Sequence, residues 1–191
     1  MPLSRGLLIG CKRNFEQAAA SEIHFTLTEK LDIPKSDVRL IKTRISGLVA
    51  VSIKKVHDLI QIMDGLMKLE ASESYFLHCL KIRPIMEITK IPENNFDSVR
   101  ALLPQLIDNR DPASSYKLEI YKRHSQLNTV DIIGEIAPHI PFKVDLSNPD
   151  WILLVEIMTD QVGISTISPQ YIFSTNLAKI KEDKSENWFL N

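Results

Sequence analysis

The sequence predicts an α/β (α+β) protein of two successive units. Three observations carry that prediction. Short apolar runs and helical stripes alternate in the order β-α-β-β-α-β over residues 1–84, a segment with two prolines then interrupts them, and a second set ends in a strand hairpin. The 191 residues are enough for a real core, and 44% hydrophobic with 25% charged residues is the composition of a soluble globular chain.

In the first unit, Leu7–Cys11 reads as a short buried strand. Asn14 is expected to cap a helix, with Gln17 three residues on as in a capping box. Phe15, Ala19, Ile23, Leu27 and Leu31 recur every four residues and give that helix one apolar stripe, which Pro34 ends. Val38–Lys42 and Leu48–Ile53 are two strands joined through Ser46-Gly47. Val56, Leu59, Ile60, Met63, Leu66 and Met67 form the next helical stripe, and Phe76–Ile82 is the closing strand. The whole is the ferredoxin-like β-α-β-β-α-β order over residues 1–84, a plan that hosts many functions and decides none.

Residues 85–94 read as a linker, because Pro84 and Pro92 limit regular structure on either side. In the second unit, Asn95 is expected to cap a helix through Phe96, Val99, Leu102 and Leu103. Pro104 should break or kink it. Tyr116–Lys122 alternates apolar and charged residues, as a strand with one solvated face does. Asn128 caps a helix over 129–140, with Ile133, Ile136, Ala137 and Ile140 toward the core and Gly134 admitting a close neighbour. Trp151–Met158 is an apolar run suited to a sheet buried on both faces, and Asp160-Gln161 turns it into Val162–Ile167. Residues 179–191 form a charged tail that ends in Trp188-Phe189-Leu190, expected to fold back onto the protein.

Several classes of function find no support. No apolar run reaches the roughly 20 residues of a membrane-spanning helix, and the start has no secretory core, so a cytoplasmic protein is expected. The two cysteines, Cys11 and Cys79, read as buried thiols, and no C-x-x-C pair or helical histidine pair suggests a metal. There is no phosphate-cradling glycine run and no nucleophile elbow. Neither cofactor nor metal is expected. Glu156 stands in an apolar strand, where a carboxylate needs partners or a raised pKa; structural pairing is the expectation over catalysis.

Basic pairs are the better candidates. Lys12 and Arg13 precede the first helix, Lys42 and Arg44 flank the hairpin turn, and Lys81 and Arg83 close the first unit. Lys122 and Arg123, followed by His124, end the alternating strand. Any one such pair is ordinarily solvated surface; together they suit phosphate oxygens and predict affinity and salt dependence without sequence reading. Residues 1–90 hold 14 Lys and Arg against 10 Asp and Glu, a net of +4, and residues 91–191 hold 9 against 14, a net of −5. The acidic excess of the second half requires any nucleic-acid surface to be local.

The segment Val144–Ile157, with the turn Asp145-Leu146-Ser147-Asn148-Pro149-Asp150 before Val155-Glu156, resembles the most recognisable part of a THUMP domain. The strand Tyr116–Arg123, the helix containing Ile133-Gly134 and the later VGIST run fall in matching order, so the resemblance covers about half the chain. It implies a ferredoxin-like domain over 1–84 and a THUMP domain over 95–178. THUMP domains are RNA-binding modules of tRNA-modifying enzymes, which implies RNA contact at Lys122 and Arg123 and a fold-signature role for Glu156. With no residues left for a catalytic domain, the chain resembles the stand-alone THUMP adaptor that presents tRNA to a separate acetyltransferase making N4-acetylcytidine. The expectation is a non-catalytic tRNA-binding subunit. Two other readings stay open: a protein-interaction module without RNA, and an enzyme with an unrecognised site.

Overall fold

The computed structural model describes residues 5–91, 95–123 and 125–175. The chain forms two compact units, one of residues 1–84 with 172–191 and one of residues 85–171. His124 and the tail with Trp188-Phe189-Leu190 lie outside the described residues.

The first unit has the β-α-β-β-α-β order. Its elements are β1 (Gly6–Gly10), α1 (Glu16–Phe25, continued by a π-helical turn to Lys30), β2 (Val38–Ile41), β3 (Leu48–Ile53), α2 (Leu59–Glu73) and β4 (Lys81–Ile85). A late strand, β10 (Phe173–Ser174), adds antiparallel to β4, so the sheet runs β10-β4-β1-β3-β2. β1 is buried at every position, as a central strand must be. Gly6 is fixed by close approach: at φ +153 its Cα faces the Val51 carbonyl, and a Cβ there would lie 1.8 Å from that oxygen. Ala19, Ile23 and Leu27 bury the α1 stripe, but its first member, Phe15, stays half exposed.

Two local expectations for this unit fail. Asn14 does not cap α1; it takes a left-handed φ of 68° in the turn before the helix. Phe76–Cys79 is not strand, because its backbone donors are taken. The Glu22 carboxylate accepts N–H bonds from Leu77, His78 and Cys79 at 2.8, 3.0 and 2.8 Å. Burial alone would raise that carboxyl, but the three donors outweigh it and hold the pKa below its usual range. The strand therefore starts late, at Lys81.

The second unit comprises β5 (Glu87–Lys90), α3 (Asp97–Ile107), β6 (Ser115–Arg123), α4 (Thr129–Ile136), β7 (Lys143–Val144), β8 (Trp151–Met158) and β9 (Gln161–Ile167). Its sheet runs β5-β9-β8-β6-β7, with β6 parallel to β7 and β8, and with β9 antiparallel to β8 and β5. β8 is buried throughout, as its apolar run predicts. Trp151, Leu153, Val155 and Ile157 pack with Val99, Leu103, Ile132 and Ile136 of α3 and α4 in one core. Tyr116 stacks on Trp151, whose indole N–H donates to Ser114 Oγ at 3.0 Å. In the turn before β8, Asp145 accepts from the N–H groups of Ser147 and Asn148, while Asp150 accepts from Ser115, which locks the turn to the start of β6.

Here too the sequence misleads locally. The stretch expected as linker contains β5, whose backbone pairs with β9, so Pro84 and Pro92 bracket a strand instead of excluding one. α3 runs straight through Pro104. The proline ring is exposed, while Val99 and Leu103 on the opposite side are buried, and that burial offsets the lost backbone bond. Asn128 caps α4 as expected, accepting from Val130 N–H at 3.0 Å. The buried stripe, however, is Ile132, Ile136 and Ile140; Ile133 is 41% exposed, and among the described residues a Cβ at Gly134 would meet nothing within 4 Å.

Candidate nucleic-acid interface

The first unit brings its basic loops to one end of its sheet. Register fixes this end: Gly10 pairs with Leu48, and Ile41 pairs with Ala50. The exits of β1 and β2 and the entry of β3 therefore lie together, and Leu80 N–H donating to Gly10 O at 2.8 Å adds the entry of β4. Lys12 and Arg13 leave β1, Lys42 and Arg44 occupy the β2–β3 loop, and Lys81 opens β4. Lys12, Arg13, Lys42 and Arg44 are exposed, and Lys81 is half-buried.

These loops are held in place. Cys11 N–H donates to Gly47 O at 2.9 Å, joining the first loop to the second. Glu16 Oε1 accepts from Gly47 N–H at 2.6 Å, and that bond holds the carboxyl below its usual range. Within the hairpin loop Thr43 Oγ1 donates to Leu48 O at 2.7 Å and accepts from Ile45 N–H at 3.1 Å, while Arg44 takes φ 58°. A groove of about 470 Å³ runs beside them, lined among others by Glu16, Gln17, Leu40, Lys42 and Arg44. Rigid loops with exposed cations beside a groove suit a phosphate backbone.

Arg83 does not belong to this surface. It sits two residues inside β4 and is 1% exposed, so its guanidinium faces the interior and not solvent. Arg83 shares a face of β4 with Lys81 but lies further along the strand, where it is covered, while Lys81 stays at the loop end.

In the second unit, Lys122 and Arg123 both lie at the exit of β6 but on opposite faces of its sheet, as neighbours in a strand must. Lys122 pairs in register with Ile157 of the α3–α4 core, and its Nζ donates to Leu127 O at 2.7 Å. Arg123 pairs with Met158 and is half-buried. The ammonium of Lys122 thus closes the loop into α4 and also stays exposed.

Sequence reasoning missed one feature beside the basic loops. Phe15, assigned to the core stripe, instead stacks on the His78 ring at 5.6 Å and 22°. Glu22 was the available signal: an acidic residue on the half-buried side of α1 needs donors, and it fixes the loop that carries His78. Among the described residues, no three His, Cys, Asp or Glu side chains gather as a metal site, and no helix is long and apolar enough to cross a membrane.

A search of curated proteins finds no match. Among solved structures, PH1313 from Pyrococcus horikoshii Ot3 superposes with a TM-score of 0.55 at 13% identity, over 87% of this chain and 56% of that one. A 4-thiouridine synthetase, solved with RNA and bound ATP, gives 0.53 at 12% identity over 86% and 42%. TrmN from Thermus thermophilus gives 0.56 at 12% identity over 85% and 45%. At such identities the likeness is one of fold, and the chain spans about half the length of these proteins. The THUMP domain family matches residues 93–167, which take in α3, β6, α4 and the β8–β9 hairpin. The chain contains a THUMP domain.

Proposed function

We propose that this chain binds tRNA and presents it to a separate modifying enzyme, with a tRNA cytidine acetyltransferase as the partner, and that it performs no chemistry itself. The observation that carries the RNA-binding part is the presence, in one chain, of a THUMP domain and of a sheet end in the first unit where five basic residues converge. A fold neighbour supports the RNA context: it is named a 4-thiouridine synthetase in complex with RNA. The non-catalytic role and the acetyltransferase partner rest on the family resemblance.

Electrostatic contact with phosphates releases counterions, so the logarithm of the binding constant should fall linearly with that of salt. Four or five phosphate contacts give a slope of about −3 to −4 on nucleic acid of mixed single- and double-stranded form. The test is tRNA binding by the purified chain across a salt series. It is followed by mass spectrometry of nucleosides after incubation with acetyl, methyl or ATP donors, with and without the acetyltransferase. No binding of tRNA even at low salt favours the protein-interaction reading. A new nucleoside formed without a partner makes the chain an enzyme.

A further inference from the structure

The turn Lys12–Phe15 places an aromatic ring in water beside cations. Phe15 N–H bonds back to Lys12 O at 3.1 Å, and the left-handed Asn14 swings Phe15 outward at the start of α1. Its ring lies stacked on His78, yet 46% of the residue stays exposed. Leu77, beside His78, is 71% exposed. Neither ring is loosely held. His78 sits on the loop whose three consecutive N–H groups are gathered by Glu22, and Phe15 begins α1, the helix that also carries Glu22.

A half-exposed phenylalanine forgoes part of its burial, and a fold needing only packing would turn it inward. A preset ring face flanked by Lys12 and Arg13 has the chemistry for one kind of occupant. An unpaired base offers a π-face to the ring, and its own phosphates lie within reach of neighbouring cations. A paired base cannot do this, because its faces are already covered. An apolar peptide would use the ring but not the charges, so the anionic chain is favoured.

We infer that the stacked pair Phe15–His78 is a platform for an unpaired RNA base, with Lys12 and Arg13 holding the adjoining phosphates. The inference rests on the RNA-binding reading above. It adds that this end of the first unit takes single-stranded nucleotides in preference to duplex.

The test uses the full chain and two labelled RNA hairpins of identical stem, one blunt and one with a four-nucleotide unpaired tail carrying 2-aminopurine. The wild-type chain should bind the tailed hairpin roughly tenfold more tightly than the blunt one, within the range measured for base–aromatic stacking. It should also quench the 2-aminopurine fluorescence. F15L keeps apolar bulk without a π-face; in it the ratio of tailed to blunt affinity should collapse toward one and the quench should vanish. F15W should restore both. A thermal melt of each variant shows that the fold is intact. An F15L ratio equal to that of wild type overturns the platform, as does a wild-type chain with no preference for the tail. Loss of a protein partner in F15L with RNA binding unchanged would do the same, in favour of a peptide site. If wild type binds both hairpins equally, only the platform falls; if it binds neither, nor tRNA, the RNA-binding reading falls with it.

Discussion

The basic ends of the two sheets solve the same problem differently. In the first unit, Lys12, Arg13, Lys42, Arg44 and Lys81 come from three separate parts of the chain, and antiparallel register delivers them to one end. In the second, Lys122 and Arg123 are adjacent in sequence, yet the strand sends them to opposite faces. Loops collect charge, whereas a strand divides it. Nearness in sequence is therefore a poor guide to a shared surface when the residues lie within a strand.

That contrast gives a graded series of expectations. The quadruple reversal of Lys12, Arg13, Lys42 and Arg44 to Glu should remove most tRNA affinity, roughly 100-fold or more at low salt, and should flatten the salt slope by several units. Filter binding across salt checks both. A variant that keeps its slope would move the phosphate contacts away from this end.

K122E should weaken binding roughly threefold to tenfold, while R123E, half-buried on the other face, should weaken it less. Equal effects of the two single reversals would mean that RNA reaches both faces of the β6 exit. The same titrations decide the point.

Glu22 gives a smaller effect on stability. E22Q keeps an acceptor but loses the charge that gathers three N–H groups, and it should cost about 1–2 kcal/mol in chemical denaturation. The sign with pH follows from linkage. The Glu22 carboxyl has a folded pKa below its ordinary value of 4.5, so its stabilisation is present above that pH and is lost as pH falls through the folded pKa. Asp37, held at about 2 chiefly by Lys54 and then by His57, follows the same rule at lower pH. Wild type should lose its advantage over E22Q as pH drops below about 4.5. An advantage constant from pH 7 to pH 3 would show that packing and not charge sets it. In the same assay P104A, which restores one backbone N–H inside α3 but loosens the unfolded chain, should stabilise by about 1–3 kcal/mol.

Much of the fold was legible because burial leaves a periodic trace. β8 is apolar along its whole length and is buried along its whole length. The Asn128 cap and the Asp145–Asp150 turn were legible because each uses a short side chain on backbone close by. What failed depended on partners distant in sequence. Phe76–Cys79 looks like a strand until Glu22, more than 50 residues earlier, takes its donors. β5 looks like a linker until β9 is there to pair with it. The basic residues could be named one pair at a time, but their grouping depends on register, and so does the interior position of Arg83.

The strand β10 bears on how the protein is made. In the first sheet Ile82 pairs with Phe173, and Thr175 Oγ1 donates to Cys79 O at 2.6 Å. The whole second unit is therefore translated between a strand and its edge neighbour. While residues 85–171 emerge, β4 is an open edge, able to recruit the same strand from another nascent chain. Closure of the first unit waits for the last part of the THUMP-containing segment to leave the ribosome. A fragment ending at Pro84 would keep that edge permanently, so its oligomerisation during expression is the expected cost of cutting the chain there.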